Sequence, residues 1–229
     1  MKRSASSELL DSDAGNPEEI ADALADLRRI NRWFGGIATM QALVERVANA
    51  TGSRELSYLD VAGASGDVPQ NVSANLAQKG LRLHVTVLDR LPSHLAAAPN
   101  GTRRVAACAA SLPFPDDSFD LVGSSLFVHH LSPDEVRITM DECLRACRTA
   151  VLINDLRRSW EHLALVHAGF PLYSSRLTRH DAPASVLQAY TPQELRELLR
   201  TTKAACVDIS HHFLCRMGVI AWKRSRDIA

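Results

Sequence analysis

The chain has no excess of either charge: its 229 residues carry 26 Lys and Arg against 26 Asp and Glu. That balance excludes the globally basic footprint of a nucleic-acid binder, and no nucleic-acid partner is expected. Long apolar runs are missing too; none approaches the roughly 18–20 residues that span a bilayer. No apolar stretch follows Lys2 and Arg3, so the start does not read as a signal peptide. Cysteine is sparse and odd in number: Cys108, Cys143, Cys147, Cys206 and Cys215 form no disulfide framework and read as reduced thiols of a cytoplasmic protein. Metal-ligand spacing is absent as well. His162 and His167 stand five apart, off a common helix face, with no paired Cys or carboxylates, and no metal is expected. What is present, 46% apolar and 23% charged residues, describes a globular chain of one domain with an elaboration.

Residues 1–16 are rich in Ser, Asp and Gly and read as poorly ordered. Asn16-Pro17-Glu18-Glu19 starts a helix whose stripe is Ile20, Leu24, Leu27 and Ile30, with Gly35-Gly36 as its stop. A second amphipathic segment covers about 37–50, and 1–50 is expected to form a helical lid segment. From residue 56 short apolar runs alternate with helical stretches: 56–61, a helix to Lys79, 83–88, 104–108, 120–126, a helix over about 133–147, and 150–153. Alternation of this kind implies a doubly wound, mostly parallel α/β sheet. Thr191-Pro192-Gln193-Glu194 has the pattern of a capping box opening a helix through Arg200. The runs at 204–209 and 213–222 are too closely linked for a crossover, so the last strand is expected to be antiparallel, in a sheet of seven. Forty-eight residues separate Asn154 from Lys203. A crossover needs only about 12–20, so a helical insertion at about 156–190 is expected to cover the strand ends, where such sheets bind ligands. The remainder, 51–229, is expected to form the sheet domain.

The sharpest local feature is Tyr58-Leu59-Asp60-Val61-Ala62-Gly63-Ala64-Ser65-Gly66-Asp67, a strand running into five small residues and then a helix. Small side chains admit a ligand to the backbone, and the helix start offers unpaired N–H groups. Asp89 closes the next strand, 23 positions after Gly66, a spacing that suits a carboxylate accepting the ribose hydroxyls of a nucleoside. A dinucleotide is disfavoured, because G-x-G-x-x-G is absent and only G-x-x-G remains.

Leu59–Asp67, Asp89 and the string Leu112-Pro113-Phe114-Pro115-Asp116-Asp117-Ser118-Phe119-Asp120 resemble class I S-adenosylmethionine-dependent methyltransferases, most closely those acting on small molecules such as natural products and quinone precursors. The resemblance implies a Rossmann-like fold with S-adenosylmethionine as cofactor and a small-molecule acceptor. By position, it places Asp60 at the methionine amino end and Gly63, Ser65 and Gly66 along the methionyl and ribose portion. It also places Asp89 on the ribose, Cys108 and Ala109 at the adenine, and Ser125 after the fourth strand. Three residues depart from the family pattern. Ala62 and Ala64 replace common glycines, and the Cys108 thiol, a poor acceptor, replaces a common Asp or Asn.

A hydroxyl acceptor gains from a base with a pKa near working pH, which favours His. His129-His130 follows the fourth strand; His129 reads as base or orienter, and His130 either joins it or packs beneath the next helix. Asn154-Asp155, before Arg157-Arg158, reads either as a substrate-orienting group or as a helix cap with solvated arginines. His180-Asp181 lies in the insertion and is either catalytic or a surface pair. His211-His212 is placed at the last turn, away from the site, with no role. The reading is a methyltransferase acting on an aromatic or polyketide-like hydroxyl, with ring carbon as the next choice. The alternative is a protein that binds S-adenosylmethionine without transferring the methyl group.

Overall fold

A computed structural model of the chain describes residues 1–4, 6, 8–10 and 14–225. Part of the N-terminal segment expected to be poorly ordered lies outside the described residues, and from the rest Arg3, Glu8 and Leu10 reach the site. Seven strands form one sheet: β1 (Glu55–Val61), β2 (Arg82–Asp89), β3 (Arg103–Ala106), β4 (Phe119–Ser125), β5 (Cys147–Leu156), β6 (Cys206–His212) and β7 (Arg216–Trp222). Their order is β3-β2-β1-β4-β5-β7-β6, with β1 to β5 parallel and β7 antiparallel to both its neighbours. This is the doubly wound, mostly parallel sheet with a reversed last strand that the sequence implies.

The helices are α1 (Pro17–Trp33), α2 (Gly36–Thr51), α3 (Asp67–Ala77), α4 (Pro92–Ala96), α5 (Pro133–Ala146), α6 (Trp160–Ala168), α7 (Arg176–Gln188) and α8 (Pro192–Leu199). Neighbouring strand residues point to opposite faces, and both faces are covered. Tyr58, Leu121, Leu152 and Ile220 pack against α2 and α3. Their sequence neighbours Leu59, Val122, Val151 and Val219 pack against α5 and α8. Capping boxes start three helices, through Asn16 and Glu19, Ser132 and Glu135, and Thr191 and Glu194, each followed by a proline with no N–H to leave unpaired.

Helices α1, α6 and α7 contribute little to either core. They stand over the carboxyl ends of the strands, so Leu27 and Ile30 of the α1 stripe line a cavity instead. Asp26, almost wholly buried, ties α1 to α7 by accepting the N–H groups of Ser174 (3.2 Å) and Ser175 (3.0 Å).

Three expectations change. Strand β3 ends at Ala106, which leaves Cys108 beyond the strand and exposed. The short helix α4 has no apolar stripe to announce it. The third change concerns the hairpin: because β7 is reversed, the β6–β7 turn lies at the ligand edge, with Arg216 opposite Leu156 and His212 opposite Arg216. His211-His212 therefore sits on the site's side of the sheet, although neither side chain lines the cavity.

Gly123 in β4 leaves room for the fully buried Tyr58 ring. A Cβ there would overlap the Tyr58 hydroxyl and lie 2.7 Å from Cζ. Gly123→Ala is expected to cost about 1–3 kcal/mol by overpacking, lowering Tm by roughly 2–4 °C per kcal/mol. Tyr58→Phe removes the overlapping oxygen and should recover part of that loss in the double variant. Strictly additive melting shifts across the four proteins would refute this packing account.

Candidate active site

A cavity of about 990 Å³ opens over the carboxyl ends of β1, β2, β4 and β5, roofed by α1, α6 and α7. Its first wall is the turn from β1 into α3. The turn is closed by Gly66 N–H donating to the Gly63 carbonyl (2.7 Å), and it is docked by Gly63 N–H donating to the Leu88 carbonyl (3.0 Å). A Cβ on Gly63 would overlap the Asp60 carboxylate, and one on Gly66, itself left-handed at φ 67°, would lie 2.7 Å from Val87 Cγ2. Ala62 (φ 54°) and Ala64 (φ 45°) also adopt left-handed conformations. That costs an L-residue roughly 1–2 kcal/mol, which explains why glycine suits both positions.

Asp89 fixes this turn, Oδ2 accepting from Ala64 N–H and Oδ1 from Leu91 N–H, both at 2.9 Å, with lone pairs left for a ligand. Burial, then the charges of Asp67 and Asp89, push the Asp60 carboxyl well above its usual range against a hydrogen bond from Tyr58. Burial also raises Asp67, opposed by hydrogen bonds to Ser65 and Asn31 and by the charge of Arg28. A cation beside these carboxyl groups would favour their ionised forms, so the wall suits a ligand carrying positive charge. Ser65, Cys108, Ala109 and Ser125 line the same cavity, and Ser125 Oγ accepts from Asn154 Nδ2 (3.1 Å). Of the eight residues assigned to the cofactor by resemblance, Gly66 alone packs behind the wall. A glycine cradle, an acid at the end of β2 and local negative charge fit a nucleoside sulfonium.

The second wall holds His129, in the helical turn Val128–His130 after β4, and Asp155 at the end of β5. One Asp155 oxygen accepts from His129 Nδ1 (2.6 Å) and Leu156 N–H (2.7 Å), the other from His129 N–H (3.1 Å). The imidazole is 2% exposed. Its Nε2 makes no hydrogen bond among the described residues and faces Glu8 Oε1 across 3.5 Å. Burial opposes charge on His129, but Asp155 and Glu8 overcome it and push the pKa up to about 10. Burial likewise opposes ionisation of Asp155, which the His129 charge holds below the usual carboxylate range.

Glu8 itself is held by Ser185 Oγ (2.6 Å) and Gln188 Nε2 (2.5 Å) of α7. Arg3 stacks on Tyr190 and donates to the carbonyls of His129 (3.0 Å) and Leu131 (2.8 Å). His130 lines the cavity and stacks on His129, ring centroids 4.1 Å apart and planes 32° apart. Ligand-type atoms of Glu8, His129 and His130 lie within 4.8 Å of one another.

The other candidates stand apart. His180 is half exposed, pairs with Asp181 (2.8 Å) and does not line the cavity; Asp181 lines it and also accepts the N–H groups of Leu9 (2.9 Å) and Leu10 (3.1 Å). Asn154 caps no helix. It donates to the Gly36 carbonyl (2.9 Å), while Ser159 caps α6. Arg158 is buried, not solvated, and binds Glu194 (2.5 Å) and the Ala189 carbonyl (2.5 Å) away from the cavity; Arg157 does not line it either. Sequence reasoning missed Glu8, inside a segment read as poorly ordered, and Arg216, a lone charge at the head of an apolar strand.

No helix among the described residues is long and apolar enough to cross a membrane. No curated protein matches the chain. Residues 59–153 match the methyltransferase domain family. Among solved structures, the CMeT domain of the citrinin polyketide synthase is similar at 14% identity and TM-score 0.56, covering 75% of this chain and 47% of that one, so the chain spans about half its length. A SAM-dependent methyltransferase from Aquifex aeolicus shows 16% identity and TM-score 0.53, with 79% and 89% covered. Magnesium protoporphyrin IX methyltransferase from Synechocystis PCC 6803, with SAH bound, shows 15% identity and TM-score 0.53, with 82% of each chain covered. The sheet order, with the glycine turn and the acid at the end of β2, is the Rossmann-like fold of the S-adenosylmethionine-dependent methyltransferases among these neighbours, and residues 59–153 match the methyltransferase domain family.

Proposed function

We propose that the enzyme methylates a hydroxyl of a small aromatic or polyketide-like acceptor, with His129 as base and Asp155 as its orienter. The observation that carries this is the buried His129 Nε2, presented to the cavity without a hydrogen bond while Asp155 holds Nδ1. S-adenosylmethionine supplies a methyl group already activated on a sulfonium, so the protein's task is alignment in a dry site. Leu24, Leu27, Phe34, Leu165 and Leu172 give the acceptor space an apolar lining. Residues 1–50 and 156–190 serve as its lid. An acceptor hydroxyl takes the place of Glu8 at Nε2. With Glu8 displaced, Asp155 still raises the imidazole toward the range of a phenol, near 10, which reduces the driving force against proton transfer. The reading without methyl transfer draws on the strained Ala62 and Ala64, which depart from glycine.

Incubation with S-adenosylmethionine and a panel of phenols, followed by mass spectrometry, tests the reading. Methyl gain on none of them, with S-adenosylhomocysteine still bound, would favour the non-transfer alternative. His129→Asn is expected to lower kcat by about 10²–10⁴-fold while leaving S-adenosylhomocysteine affinity in calorimetry unchanged. Full activity in that variant would end the base assignment.

The pH profile gives a second check. The base form of His129 is the deprotonated one, and its pKa is raised from 6.5 to about 10, so kcat/KM should climb through the alkaline range. Asp155→Asn and Glu8→Gln each remove a charge that raises it, and each should move the climb toward pH 6.5. The raised folded-state pKa also means that the imidazolium stabilises the fold fully below pH 6.5 and loses that effect as pH rises through about 10. His129→Asn should accordingly flatten the alkaline fall in Tm.

A further inference from the structure

Arg216 begins β7 and lines the cavity, yet it is only 2% exposed. A buried guanidinium is expensive unless a counter-charge meets it. Among the described residues no carboxylate lies within ion-pair distance. Nε donates to the Phe34 carbonyl (3.3 Å), Nη1 to Asn154 Oδ1 (3.5 Å) and Nη2 to Asn31 Oδ1 (3.2 Å), all neutral oxygens and all long. A guanidinium has five N–H donors, so two remain for a ligand. The nearest negative charge, Asp155, is already shared with His129, and burial pulls the Arg216 pKa down to about 10 against it.

We propose that Arg216 binds a carboxylate of the methyl acceptor, which makes the acceptor an aromatic or polyketide-like hydroxy acid. The fork of a guanidinium matches the two oxygens of a carboxylate. Position assigns that carboxylate to the acceptor and not to the cofactor. The cofactor wall lies at the ends of β1 and β2, whereas the Arg216 backbone stands three strands from β1 across β4 and β5, roughly 14 Å at ordinary strand spacing, and Asn31 stands between its guanidinium and Asp67 of that wall. It flanks Asp155 and His129, where the hydroxyl is placed. His162, whose ring also lines this end, is lowered by burial and by the positive charges of Arg216, Arg157 and His129, and would gain from the same anion.

The inference rests on the methyltransferase reading for its ligand, and binding tests it without turnover. Hydroxybenzoates and hydroxynaphthoates, each beside its neutral amide, are titrated into the protein by calorimetry with and without S-adenosylhomocysteine. The acids should bind at least about tenfold more tightly than their amides, as charged hydrogen bonds do. That preference should shrink to about twofold or less in Arg216→Gln. Asn31→Asp keeps Arg216 and sets a carboxylate beside Nη2; it should erase the preference as well, and it decides the matter should Arg216→Gln not fold. No preference in the natural protein, or one that survives a folded variant, overturns the proposal. So does a loss of S-adenosylhomocysteine affinity in Arg216→Gln that its decarboxylated analogue does not share, which would hand the residue to the cofactor. Failure of S-adenosylhomocysteine to bind the natural protein would count against the methyltransferase reading alone.

Discussion

One buried carboxylate organises the second wall of the cavity. Asp155, next to the last residue of β5, takes three hydrogen bonds, two of them from His129 and one from its own neighbour Leu156. It thereby fixes the strand end, the turn after β4 and the direction of the imidazole in a single step. Leaving such a buried charge without its partner costs about 3–5 kcal/mol, so ring and carboxylate behave as one unit. Glu8, His130 and Arg216 take their places around that unit, which sets the charge each of them meets.

The zero net charge of the chain conceals a division within the cavity. Asp60, Asp67 and Asp89 gather carboxyl groups at the end over β1 and β2, where a sulfonium or an ammonium would favour their ionisation. Over β5 and β7 His129 and Arg216 bring positive charge, matched at His129 by Asp155 and Glu8 and without a carboxylate at ion-pair distance from Arg216 among the described residues. The sheet order alone keeps the two ends apart, because the intervening strand β4 delivers Ser125 and no charge to the edge. Burial strengthens each end, since the surrounding medium screens charge far less than water does.

Much of the first wall of the cavity was legible in the sequence because its parts are local. Gly63, Ser65 and Asp89 belong to a strand–turn–helix–strand unit whose spacing can be counted, and Thr191 with Glu194 announced α8 in four residues. His129 was legible as a residue but not as an acid. Its protonation depends on Asp155, 26 positions away, and on Glu8, in a segment whose composition suggested no structure. The placement of His211-His212 failed for a different reason. The spacing of the last two runs implied antiparallel pairing, but not which edge of the sheet the turn would reach; that follows only from β7 lying between β5 and β6.

The reversal of β7 has a consequence for how the cavity can change its shape. Strands β1, β2, β4 and β5 present residues at their carboxyl ends to the cavity and then enter loops that must still reach a helix. Strand β7 presents its first residue, and what precedes it is a three-residue turn with Leu214 and Cys215 in left-handed conformations. That turn borders the cavity through Leu214 and supports no helix. Its length and composition can vary while the paired register from Leu156 down to Ala150 stays intact. The shape of this end of the cavity is thereby separated from the integrity of the sheet.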